Sequence, residues 1–379
     1  MTNIPFHKAH ITDDEINLVV EALKSGWITM GPKVIEFESL FSEFINRDSD
    51  RKIKSLLVNS CTAALHLALK SIGLKAGDEV ILPTNTFIAT AEVVTYFNAK
   101  PVLCDIDFDT MLIDVNKIES LITEKTKAII PVHYAGQPCD MKEILAIAQK
   151  YNLKVIEDAA HSFPAYYQGK PIGTIGDLTC FSFYATKTLA MGEGGAVTTD
   201  NEEYIKTIKS NRLHGINRDA WDRYTLKGSW YYEVIDNGFK YNSTDINAAM
   251  GIAQLKKAEL MRSEREKIAK KYNDAFSNRD GIILPVIKPD RVSAWHLFVI
   301  KVNNRDTLIE KLKEVGIGTS VHFIPVHKHP YYKKSFGYEE SNYPVANMVF
   351  ESALSLPIWP GMSDIEIEYV VDMVKKFTN

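Results

Sequence analysis

Lys187 stands 29 residues after Asp158 and just ahead of the turn Gly192-Glu193-Gly194-Gly195. The lysine is led in by Phe181-Ser182-Phe183-Tyr184-Ala185-Thr186, and the aspartate closes the run Val155-Ile156-Glu157-Asp158. An apolar run ending in carboxylates has the pattern of a buried parallel strand at its C-terminal edge. An amine and a carboxylate so placed are what pyridoxal phosphate requires. The amine condenses with the aldehyde, and the carboxylate pairs with the protonated ring nitrogen so that the ring acts as an electron sink. An isolated lysine is ordinarily a solvated surface residue; the flanking strand and glycine turn raise the functional reading beside that one. The pair predicts making or breaking of C–N bonds with that cofactor.

A phosphate needs its own seat. Asn59-Ser60-Cys61-Thr62-Ala63-Ala64-Leu65 follows an apolar run and opens a helical one. Small and hydroxyl residues there leave backbone N–H groups and the positive end of the helix dipole for an anion. Ser60 as a simple N-cap is the competing reading. Ser182, a hydroxyl in an aromatic strand, either binds phosphate or satisfies a neighbour.

These residues require a sheet to hold them. Candidate strands at 55–58, 79–82, 101–105, 127–132, 154–157, 178–183 and 196–199 alternate with helical patterns such as 62–72, 86–97 and 141–151. The alternation predicts an α/β fold, with a mostly parallel sheet flanked by helices and ligands outside the carboxyl ends of its strands. Asp13 or Asp14 is the expected cap of a first helix ending at Gly26. A long helical stretch over 244–276 leads into a smaller α+β unit. There, strands are expected at 295–302 and 319–323, and helices at 306–315, 343–354 and 363–377. The division expected is a large cofactor-binding domain over 12–245 and a small C-terminal domain over 246–379, with 1–11 packed alongside.

Composition restricts the partners. The 379 residues are 45% apolar and 24% charged with a net charge of −4, which gives no whole-chain footprint for nucleic acid or an anionic membrane. Cys61, Cys104, Cys139 and Cys180 are scattered without metal or disulfide spacing and read as reduced, packed thiols. His322, His327 and His329 lack a Cys or carboxylate to complete a zinc site, so no metal is expected. The first ten residues have no apolar core and no run of 18 apolar residues occurs, so a cytoplasmic location is expected.

In chain order the pieces run Ser60-Cys61-Thr62, Thr84-Asn85-Thr86-Phe87, Asp158-Ala159-Ala160-His161, Ser182 and Lys187. This order resembles the DegT-type (DegT/DnrJ/StrS) nucleotide-sugar aminotransferases, a branch of the fold-type I pyridoxal phosphate enzymes. The likeness extends from residues 25–32 to residues 321–327. It implies that Lys187 is the Schiff-base lysine and proton shuttle, and that Asp158 holds the ring nitrogen protonated. Phe87 and Ala160 would flank the ring. His161 would sit near its phenolic oxygen, unless it is a packed core histidine. Thr62 and Ser182, with the amides of Cys61 and Ala63, would hold the phosphate.

Asn242 would reach the phosphate of a neighbouring subunit, which implies a homodimer with shared sites. Many relatives carry Arg after this Asn; here Ser243 stands in its place. Residues 214–224, followed by 229–233, look like the loop of members that aminate the 4-keto group. Arg218 and Arg223 in that loop either clamp a nucleotide diphosphate, as guanidinium pairs do, or are solvated charges. Thr29, Glu193 and His327 are further candidates for substrate contact, and Glu193 is equally an orienting group in its turn.

The activity implied is transfer of the amino group of glutamate to C4 of a nucleotide-linked 4-keto-6-deoxy sugar, UDP-linked for preference, for surface polysaccharide or glycan synthesis. A 3-keto sugar aminotransferase is the alternative within the family. A binding-only regulator is the alternative outside enzymes. Members that dehydrate carry His where Lys187 stands.

Overall fold

The computed structural model describes residues 3–217 and 231–378. Five strands, β1 (Lys54–Val58), β2 (Glu79–Pro83), β3 (Lys100–Cys104), β4 (Thr126–Ile129) and β5 (Lys154–Asp158), precede a short hairpin of β6 (Tyr166–Tyr167) and β7 (Lys170–Pro171). β8 (Leu178–Ser182) and β9 (Gly195–Thr199) follow. The large sheet has the order β1-β9-β8-β5-β4-β2-β3. β9 is antiparallel to both neighbours and every other pairing is parallel. β2 and β9 are buried at every position, as helices on both faces demand. All seven strands fall where the sequence pattern puts them. The fourth is shorter than expected, because Val132 pairs only as an isolated bridge to Asp158.

Local capping explains one difference. The first helix, Asp13–Ser25, is capped not by Asp13 or Asp14 but by Thr12. The Thr12 N–H and hydroxyl both donate to Glu15 Oε2, at 2.7 and 2.8 Å, forming a capping box. Gly26, at φ 73°, ends the helix as expected.

The stretch 244–276 is two helices, Asp245–Lys256 and Ala258–Phe276, broken at Lys257. The Asp245 carboxylate ties the first of them to the large unit by accepting the Gly31, Lys33 and Val34 N–H groups at 2.8–3.1 Å, at the start of helix Pro32–Asn46. Beyond lie β10 (Ile282–Ile283), β11 (Arg291–Val292), β12 (Phe298–Val302) and β13 (Ala353–Leu356). β10, β12 and β13 form a three-stranded sheet in the second core, while β11 pairs with β6 and stitches the two parts together.

Three expectations fail in this second part. Residues 295–297 are not strand, because Trp295 has φ 48°. Residues 319–323 form no ladder, only a bridge between Ser320 and Ser355. The helix expected over 343–354 stops at Ser352, and its last apolar residues become β13. From the N-terminal segment, Ile4 is fully buried in the second core, where its N–H donates to Gly316 O at 2.8 Å. Among the described residues no helix is long and apolar enough to cross a membrane.

Candidate active site

A cavity of about 520 Å³ opens at the carboxyl ends of the parallel strands. Ser60, Cys61 and Thr62 line it just after β1, Asp158 at the end of β5 and Ser182 at the end of β8. The helix Cys61–Ser71 starts here, with Ser60 as N-cap: its Oγ accepts the Ala63 N–H at 3.1 Å. That bond occupies the Ala63 amide, and Ala63 lies outside the cavity lining. Cys61 and Thr62 supply the helix's first N–H groups, which have no partner within the helix. The helix start is pressed against β9. A Cβ on Gly195 would lie 2.4 Å from the Ser60 carbonyl carbon, so only glycine fits there.

Asp158 forms the floor. Its Oδ2 accepts the Thr90 hydroxyl at 2.8 Å and its Oδ1 the Ala160 N–H at 3.1 Å. Thr90 is held in turn by Thr86, oxygen to oxygen at 2.7 Å. Burial pushes the carboxyl up from its ordinary range, against the opposing pull of these donors and of Lys187. A cation placed against it would reverse that direction. Lys187 follows β8 in a turn whose N–H donates to Tyr184 O at 2.9 Å. Burial lowers its ammonium to about 8, Cys61 and Asp158 acting the other way and Arg265 with it. A lysine in that range has a substantial neutral fraction near physiological pH and serves as nucleophile or base.

The walls are aromatic. Phe87 is 59% exposed on the cavity, with Ala160 and His161 also lining it. His161 Nδ1 accepts the Ala135 N–H at 3.3 Å, so the neutral ring carries its proton on Nε2. Burial and then Lys187 hold His161 well below its ordinary pKa. The second part of the chain contributes His296, Ser320, His322 and Phe323, and the N-terminal segment contributes Phe6, stacked on His322 at 5.4 Å.

The chain matches the DegT/DnrJ/EryC1/StrS aminotransferase family over residues 9–375. It belongs to that family. It is 54% identical to an uncharacterized protein of Methanocaldococcus jannaschii, covering 99% of this chain and 98% of that one. It is 48% identical to the spore coat polysaccharide biosynthesis protein SpsC of Bacillus subtilis, covering 98% and 96%. Among solved structures, Spr1654 of Streptococcus pneumoniae, assigned as a sugar aminotransferase and solved in its PMP form, superposes with a TM-score of 0.91 at 34% identity, covering 99% of each chain.

The chain is therefore a sugar aminotransferase of fold type I, and its cofactor is pyridoxal phosphate. The cavity suits that group. A helix N-terminus and two hydroxyls, from Thr62 and Ser182, offer donors to a phosphate. A buried carboxylate stands ready for a protonated ring nitrogen, and an exposed Phe87 face for the ring.

For a DegT-family member, the remaining candidates scatter. Glu193 lines the cavity, exposed, with its C=O accepting the Asn247 side-chain N–H at 2.9 Å. Asn242 lies outside the lining, bridged to Val58 at the end of β1, and its Oδ1 accepts from Lys240 Nζ at 2.6 Å. Thr29 is exposed and outside the lining, its C=O accepting the Asp245 N–H at 2.9 Å. His327 is not brought to the cavity. It is fully buried, with Nδ1 2.7 Å from the Thr84 hydroxyl, Nε2 2.9 Å from Asn347 Oδ1 and its ring stacked on Tyr343. Of His322, His327 and His329, only His322 lines the cavity. Arg218 and Arg223 lie outside the described residues.

Sequence reasoning missed Thr90, His296, Phe6 and Phe323. Thr90 was within reach, one helical turn after Thr86 (i, i+4) in a motif already singled out. The other three carry no local signal.

Proposed function

We propose that this sugar aminotransferase transfers the amino group of glutamate to C4 of a nucleotide-linked 4-keto-6-deoxy hexose, UDP-linked for preference, in the cytoplasm and for surface polysaccharide synthesis. The observation that carries the reading is the convergence of Lys187, Asp158 and the Cys61–Thr62 helix start on one cavity. Pyridoxal phosphate supplies, when bound, an electron sink that stabilises negative charge at the carbon bearing nitrogen. Lys187 is the residue for the cofactor's aldehyde and, once released, moves protons at the reacting carbon. Asp158 keeps the ring nitrogen protonated. Cys61 N–H, Thr62 and Ser182 hold the phosphate, Phe87 and Ala160 flank the ring, and His161 presents its Nε2–H at the ring's oxygen.

The site is shared in a homodimer, in which Asn242 reaches the phosphate of the neighbouring subunit. Its place outside its own cavity supports that assignment. Arg218 and Arg223 clamp the diphosphate, and Glu193 and Thr29 meet the substrate. Regiochemistry at C4 draws on the likeness of residues 214–224 and 229–233 to 4-aminating members. The polysaccharide destination draws on the 48% identity to SpsC.

The test incubates the enzyme with glutamate and 4-keto sugars on UDP, dTDP and GDP and locates the new C–N bond by NMR. An amine at C4 is expected. An amine at C3, or turnover of keto acids alone, contradicts the reading.

A further inference from the structure

His296 approaches Lys187 from the other part of the chain. Its Nε2 lies 3.4 Å from Lys187 Nζ, it is 7% exposed, and it lines the cavity. The backbone that delivers it is clamped. Ala294 N–H donates to Gly136 O at 3.0 Å, and Leu297 N–H to Ala135 O at 3.2 Å. The two segments meet so closely that a Cβ on Gly136 would lie 2.8 Å from Trp295 N. Both sides of the clamp hold a non-glycine residue in the left-handed region, Ala135 at φ 57° and Trp295 at φ 48°. Each such residue is strained and persists only where its surroundings hold it. The same turn serves both histidines: Ala135 N–H fixes His161, and residue 295 places His296, whose ring lies 4.4 Å from that of His161. Beneath, the buried Arg265 donates to the carbonyls of Trp295 and His296 at 3.3 Å and Ile358 at 2.9 Å.

We propose that His296 is a positioning residue for Lys187, its Nε2 accepting one N–H of the released amine so that the nitrogen lone pair faces the reacting carbon. The neutral tautomer required carries its proton on Nδ1. Burial first, and then the facing groups Lys187, His161, Arg265 and His322, hold the His296 imidazole well below its ordinary pKa and uncharged. An uncharged acceptor orients the amine without repelling it. The inference rests on Lys187 as the cofactor lysine.

The test compares His296→Phe, which keeps the ring's bulk, with His296→Gln, which restores an acceptor. Single-turnover reaction of the holoenzyme with glutamate should slow about 100-fold in the Phe variant, with apparent glutamate affinity changed less than about threefold. The Gln variant should return to within about tenfold of wild type. Independently of turnover, competitive acetylation of Lys187 in cofactor-free protein should show a midpoint near pH 8 in wild type. Loss of a hydrogen bond to the ammonium should lower that midpoint by about one pH unit in the Phe variant. Phe-variant rates within about twofold of wild type overturn the proposal, as do equal losses in both variants with an unmoved acetylation midpoint. Borohydride labelling of wild type separates the two levels. A label on a lysine other than Lys187 removes the premise and the proposal with it, whereas a label on Lys187 with unchanged variant rates overturns the proposal alone.

Discussion

One side of the cavity comes from the ends of β1, β5 and β8 and the helix after β1. The other comes from His296, Ser320, His322 and Phe323 of the second part, joined by Phe6. On the first side Ser60, Asp158 and Ser182 cap or end regular elements, so their positions follow from strand and helix geometry, and Lys187 follows β8 in a turn. Asp158 closes β5, and Ser60 caps a helix. On the second side His296, His322 and Phe323 sit on irregular backbone, held by bonds to distant residues: His322 Nδ1 meets the Ser355 hydroxyl at 2.8 Å, and the His322 carbonyl accepts the Tyr134 hydroxyl. The first side supplies charge and the phosphate seat. The second supplies uncharged imidazoles and apolar surface, suited to orienting a substrate rather than anchoring a cofactor.

Substitutions can break this division of labour. Lys187→Ala removes both the cofactor's attachment and the proton carrier, and steady-state turnover should fall more than about 10⁴-fold. Asp158→Asn keeps the Thr90 bond but loses the charge that holds the ring nitrogen protonated. Turnover should fall about 100- to 1000-fold while the protein stays folded by circular dichroism, and a loss under about tenfold would move that role elsewhere.

Two histidines, His322, half-buried at the cavity, and His327, buried, sharpen the contrast within one segment. His327→Phe leaves the Thr84 hydroxyl and Asn347 without their partner, costing about 1–3 kcal/mol of stability. Its turnover per folded molecule should stay within about threefold. His322→Phe should do the reverse, reducing turnover more than stability; thermal melts read beside kinetics decide it. Gly195→Ala forces the helix start off β9 and should cost about 1–3 kcal/mol, with faster loss of cofactor on dialysis.

The histidines also set a pH dependence. His7, His66 and His322 are lowered to about 4, and His161 and His296 are lowered too, by burial first in every case. The unfolded chain therefore binds more protons than the folded one below about pH 6.5. Stability from these residues is complete above that value and is lost as pH falls from 6.5 toward 4. The carboxylates Glu15 and Glu157, lowered in the fold, add their own loss only below about 4.5. Urea midpoints of cofactor-free protein should thus drop between pH 7 and 5; a flat profile there contradicts the buried neutral histidines.

The same division decides what a reader of the sequence could see. All seven strands of the large sheet, and Asp158, Ser182 and Lys187 at its edge, were legible, because apolar runs and their terminal polar residues are local signals. The Ala63 amide, expected at the phosphate, is instead taken by the Ser60 side chain. His327 was among the residues expected to meet substrate; only the packing of Tyr343 and Asn347 reveals that it faces the core. His296 was passed over as part of a strand. Its role depends on Trp295 adopting φ 48°, a turn enforced by the Tyr134–Gly136 segment about 160 residues away in sequence.

The central claim is that Lys187 carries the cofactor at the end of the large sheet. Borohydride reduction of the purified holoenzyme, proteolysis and peptide mass mapping test it most directly. The account predicts a phosphopyridoxyl mass on the peptide containing Lys187. The same mass on any other lysine peptide would contradict it.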